Sequence, residues 1–139
     1  MKLEKLMKCK FFPIFITILL VPMSPLHAVL IWSDDESGGK GIIVSFSGNS
    51  YREDAIDVSN EELPDKISEN IGSSTLKSII FYDVDGKNID HVTNSLRNIG
   101  EKIRQSNTKN VKAVDSSGSK AIQEVLNQHI KNVMNEIWN

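Results

Sequence analysis

Apolar and polar positions alternate along this chain in segments of distinct period, and the periods predict its elements. Phe11 to Val21 is an apolar run without a charge. Ile42-Ile43-Val44-Ser45-Phe46 is β-branched and apolar and predicts a strand. Tyr51 to Val58 alternates loosely, and the turn residues Gly48-Asn49-Ser50 between the two segments predict a hairpin. Ser59-Asn60-Glu61-Glu62 is a capping box, in which the Ser59 and Glu62 side chains each satisfy the other's free backbone N–H. A helix over 60–71 follows, with Leu63, Ile67 and Ile71 on one face, Pro64 in its first turn and Gly72 at its end. Ser78 to Tyr82, within Leu76–Val84, is a near-continuous apolar run that suits a strand buried on both faces. Ile89, Val92, Leu96, Ile99 and Ile103 recur at three and four residues, which predicts one amphipathic helix over 89–105. Val111 to Val114 is a short strand. Ser119 then caps a last helix over 120–138, whose broad apolar face includes Ile122, Val125, Leu126, Ile130, Val133 and Ile137.

The order of these elements predicts an α/β fold: a two-layer sandwich with a mixed sheet of about four strands and two or three helices, over residues 42–139. The strand–helix–strand unit from 76 to 114 is a crossover, so its strands should be parallel neighbours. The first hairpin should extend the same sheet.

The N-terminus has a separate purpose. Lys2, Lys5, Lys8 and Lys10 precede the apolar run, prolines 22 and 25 break it, and Leu26-His27-Ala28 follows. This is the layout of a secretory signal over 1–28, cut after Ala28. The competing reading is an uncleaved anchor helix over 11–32, because Val29-Leu30-Ile31-Trp32 continues the apolar stretch to a length that spans a bilayer. Residues 33–41 then read as a polar, glycine-rich tether or loop. Both readings put the C-terminal domain on the non-cytoplasmic side. The expected location is periplasmic or secreted, or anchored in the inner membrane with the domain in the periplasm.

Three stretches, IIVSFSGNSYREDAIDVSNEELPDKI, KSIIFYDVDGKNIDHVTNSLRNI and VKAV, carry a resemblance to a known family. Over residues 42–114 the layout is similar to the periplasmic domain of the ExbD/TolR family, small partners of proton-driven stator complexes. The resemblance implies a hairpin, a capped helix, a strand ending in an acidic turn, a helix and a short strand. It does not extend to the proton-coupling aspartate that the family carries in its membrane helix, since residues 11–32 contain no acidic residue. A charge in the bilayer is functional where it occurs, so the resemblance implies a fold and no stator activity.

Charge and chemistry narrow the function further. Removing the four N-terminal lysines and Glu4 leaves 12 basic and 17 acidic residues, a net charge of −5 without a basic cluster, which disfavours nucleic acid. The single cysteine, Cys9, precedes the apolar run. The mature domain therefore uses no disulfide, thiolate metal site or cysteine nucleophile. Asp83, Asp85 and Asp90 lie in a stretch with some features of a calcium loop and define a possible weak acidic site. Phe81 and Val92 occupy two of its key ligand positions, so the stretch reads as a strand-end turn and helix cap, with no metal. His91 and His129 lack metal-binding spacing, and no nucleophile elbow, phosphate loop or dinucleotide motif is present. No cofactor is expected.

What remains is a non-catalytic exported protein acting through protein–protein contact, as an accessory or regulatory factor of a membrane or surface-assembly system. A periplasmic immunity or inhibitor protein, or a small periplasmic hydrolase, is the alternative. The expected partner surface is the last helix, with Ile122, Val125, His129, Val133 and Ile137 as anchors.

Overall fold

The computed structural model describes residues 27–34, 38–47 and 52–139. It is an α/β fold with a mixed five-stranded sheet and four helices. The strands are β1 (His27–Asp34), β2 (Gly39–Ser45), β3 (Ile56–Ser59), β4 (Thr75–Val84) and β5 (Asn110–Asp115). The helices are α1 (Leu63–Ile71), α2 (Ile89–Asn98), α3 (Gly100–Ser106) and α4 (Lys120–Trp138). The sheet order is β3-β1-β2-β4-β5. β1 is antiparallel to both β2 and β3, while β2, β4 and β5 run parallel.

The largest departure from the sequence reading is β1. His27 to Trp32, divided between signal and anchor on hydropathy, form an interior strand. Ala28, Val29 and Leu30 are fully buried. The same apolar run that could enter a bilayer satisfies its backbone through two neighbouring strands. Residues 1–26, the remainder of both N-terminal readings, lie outside the described residues. A cut after Ala28 would remove the His27–Ser59 and Ala28–Val58 rungs of the β1–β3 ladder.

The described part of 33–41, read as a tether or loop, is mostly strand. Ser33 and Asp34 finish β1, Gly39 to Gly41 begin β2, and the two strands pair up to Asp34 opposite Lys40. Nor do 42–46 and 51–58 form a hairpin with each other. β3 crosses to the far side of β1, so β1 supplies the antiparallel partner for both. Among the described residues the sheet therefore includes His27 to Asp34 and has one strand more than the 42–139 reading allowed.

The helices touch one another and cover one face of the sheet. Leu30, Ile42, Val44, Ile79 and Phe81 from the strands meet Leu63, Ile67, Ile71, Val92, Leu96 and Ile103 from the helices in one core. Only half of the expected capping box forms: the Glu62 N–H donates to Ser59 Oγ at 3.3 Å, while Glu62 Oε1 accepts the Ser59 hydroxyl at 2.9 Å in place of the Ser59 backbone N–H. The regular helix starts slightly later, at Leu63.

The helix expected over 89–105 is two helices. Ile99 leaves helical geometry (φ −106°, ψ 18°) and separates α2 from α3. Its side chain is buried, so the hydrophobic period survives the break. Just beyond it, a Cβ on Gly100 would stand 3.3 Å from Ile137 Cγ1. The missing side chain there lets the α2–α3 junction approach α4 closely.

Candidate binding site

All five strands bring an end to one edge of the sheet. β2, β3, β4 and β5 finish there and β1 starts there, as the pairings Val29–Ser45 and His27–Ser59 require. The edge holds a polar cleft of about 340 Å³ bordered by His27, Asn60, Asp83, Asp85, Lys87 and Ser116, with Phe46, Ser47 and Asn88 completing its wall.

The β4–α2 turn shapes its floor. The β4–β5 ladder is irregular between Phe81 and Val84, and Asp83 adopts a left-handed backbone (φ 58°). Asp85 Oδ1 accepts the N–H groups of Lys87 (2.8 Å) and Asn88 (3.1 Å). Asn88 Nδ2 donates to the Asp83 carbonyl at 3.2 Å. Asp85 thus turns the chain into α2, whose N-cap position is Asn88 without a capping bond from its side chain. Asp83 and Asp85 share the cleft, but exposed Asp90 does not border it. Among the described residues no group of three His, Cys, Asp or Glu side chains could hold a metal ion.

A second cleft, of about 360 Å³, adjoins the first through Asp85. It is apolar, and lies between the start of α2 and the first half of α4. Ile89, Ala121, Ile122, Val125, Leu126 and His129 line it, together with Asp85 and Gly86. Ile122 is 43% and Val125 56% exposed. A smaller hollow of about 180 Å³ at Val125, Gln128, His129 and Asn132 continues the surface along α4.

The five anchors expected on the last helix therefore separate. Ile122, Val125 and His129 face the apolar cleft, while Val133 and Ile137 are 2% and 6% exposed and belong to the core. Helical period alone places all five on one stripe. At the C-terminal end Ile137 packs beside Gly100 and Glu136 pairs with Arg97, whereas Ile122 and Val125 remain exposed.

The N-terminal half of α4 is tied down by polar groups instead. Gln123 accepts the Asp115 N–H at 2.8 Å and donates to the Ala113 carbonyl at 2.8 Å, bridging the helix to β5. Asp115 Oδ2 accepts the Ser117 hydroxyl (2.6 Å) and the N–H groups of Ser119 (2.9 Å) and Ser117 (3.1 Å). The Ser117 hydroxyl, and after it these backbone donors, hold the Asp115 carboxyl below the ordinary carboxylate range against the opposing effect of burial. At the other end, Arg97 Nε and Nη2 meet the two Glu136 oxygens at 3.1 and 3.3 Å, and Arg104 Nη1 donates to the Ile137 carbonyl at 2.9 Å. Lys109 Nζ stands 4.0 Å above the Trp138 ring.

Sequence reasoning missed His27 and Asn60 as cleft residues. His27 reads as the tail of an export signal and Asn60 as an ordinary capping-box residue. No signal in their local sequence places them beside Asp83 and Asp85. His91 borders neither cleft.

No protein-family model matches the chain, and neither a curated protein nor a solved structure is significantly similar to it. Among the described residues no helix is long and apolar enough to cross a membrane.

Proposed function

We propose that this protein is a non-catalytic, exported binding protein that works through contact with another protein, as an accessory or regulatory factor of a membrane or surface-assembly system. The observation that carries the reading is the apolar cleft at α2 and α4. Large aliphatic side chains are exposed side by side there in a concave surface, while the rest of the same helical stripe is packed away. An aliphatic residue in such a cleft loses hydrophobic stabilisation that a partner's side chain would restore. Export is supported by the basic residues 2–10 and the apolar run that follows them. The acidic balance of the remaining chain suits a partner with a basic surface.

A photo-crosslinking side chain placed at Val125 in intact cells tests this. One discrete protein adduct is expected from Val125, none from the exposed Asn94 on α2, and loss of the adduct when Ile122→Asp is added. Absence of an adduct at Val125, or an adduct insensitive to Ile122→Asp, would refute the assignment. Both positions are exposed, so Ile122→Asp should change stability by only about 0.5 kcal/mol, which thermal melting checks.

A further inference from the structure

The polar cleft contains a group that the folded domain leaves without a task. Asn60 is 1% exposed, and neither its side-chain oxygen nor its nitrogen has a hydrogen-bond partner. Leaving a buried amide unpaired is destabilising, and native folds rarely do so without a reason. Local structure supplies none. Ser59 and Glu62 perform the capping, and the Leu63 N–H uses only the Asn60 backbone carbonyl. A carboxamide offers an acceptor and a donor side by side. Its complement is another amide, and the commonest is a peptide group.

The surroundings specify what accompanies that amide. Asp85 uses Oδ1 in the β4–α2 turn, and neither its Oδ2 nor the Asp83 carboxylate has a partner among the described residues. Two carboxylates border the cleft with one ammonium, that of Lys87, and the His27 imidazole, so a ligand cation is favoured beside the amide where the imidazole is uncharged. Asp85 also borders the apolar cleft, which places a site for an aliphatic side chain next to the site for a cation.

We infer that the two clefts form one site for the free amino terminus of a polypeptide. Its α-ammonium meets Asp83 and Asp85, its first peptide group pairs with Asn60, and its first side chain, apolar, lies against Ile89, Ile122 and Val125. The apolar part of the site rests on the protein-contact reading above, and the polar part stands on Asn60.

The test is a titration of the isotope-labelled protein, as recovered from cells, with the peptide Leu-Gly-Gly and its N-acetylated form, followed by NMR. The free peptide should shift the Asn60 side-chain NH₂, the Lys87 amide and the Ile122 and Val125 methyls. Acetylation, which removes the cation, should weaken binding by at least about tenfold. Asn60→Leu should remove the free peptide's advantage over the acetylated one. It should also raise the melting temperature of the unliganded protein by about 4–8 °C, because a burdened buried amide is gone. Equal binding of the two peptides overturns the inference independently of any variant, and so does a fall in melting temperature in Asn60→Leu. Shifts confined to Ile122 and Val125 would also overturn it, while leaving the protein-contact reading standing. Shifts at Asn60 and Lys87 without any at Ile122 and Val125 would overturn the joint site and count against the apolar cleft.

Discussion

The two halves of α4 are made of the same kinds of residue and are held in opposite ways. The C-terminal half buries Ile130, Val133 and Ile137 against the core, with Leu126 of the first half beside them, and its polar contacts with Arg97 and Arg104 lie around that apolar contact. The N-terminal half turns Ile122 and Val125 outward and is fastened through Gln123, Asp115 and the Ser119 cap. The difference shows how a helix can offer aliphatic side chains to a partner without leaving the domain. Hydrogen bonds to β5 perform the positioning that apolar burial performs elsewhere, so Ile122 and Val125 stay exposed without loosening the helix.

That division can be broken from either side. Ile137→Asp should have the largest effect. It places a carboxylate in a buried position beside Gly100, with an expected loss of about 4 kcal/mol or more. A denaturant melt should show an unfolded or barely folded variant, and a wild-type midpoint would place Ile137 on the exposed side after all.

Gln123→Ala comes next. It leaves the Asp115 N–H and the Ala113 carbonyl without their side-chain partner, at a cost of about 1–3 kcal/mol. The loss should be local as well. Hydrogen exchange should quicken in the first turns of α4 and at the end of β5, while the C-terminal turns keep their protection. Uniform loss of protection along α4 would mean that the helix is held as one unit.

The third effect is smaller and visible only in acid. The folded-state pKa of Asp115 is depressed, so its stabilisation is complete above the unfolded carboxylate value near pH 4, and is lost as pH falls through the folded value. Asp115→Asn should therefore melt below the wild type at neutral pH, and the gap should narrow on acidification below about pH 4. A constant gap across that range would show that the carboxylate's charge contributes nothing to the α4 anchor. The Arg97–Glu136 pair at the opposite end is half exposed, and contributes little by comparison.

Much of the architecture is legible in the residues. The buried run of β4 and the Ser119 cap are local patterns from which local backbone geometry follows, whereas the period of Ile89 to Ile103 gave the buried face but not the break at Ile99. The acidic turn at Asp83–Asp85 is legible as a turn because it too is a local pattern. The hydropathy of Val29 to Trp32 is less decisive. A bilayer and the interior of a sheet both reward an apolar run, and only the neighbours available for its backbone groups distinguish them. β1 pairs with strands on both sides and so belongs to the sheet.

By itself, then, the sequence determined the α/β class of the fold and the positions of most helices and strands after residue 41. These depend on residue spacing and composition within one segment. Tertiary structure alone decided which half of α4 faces solvent, that His27 and Asn60 stand beside Asp83 and Asp85, and that a polar and an apolar cleft share Asp85. The physical reason is that each of these is a relation between segments far apart in the chain. Strand pairing and helix packing set such relations, and no local period encodes them.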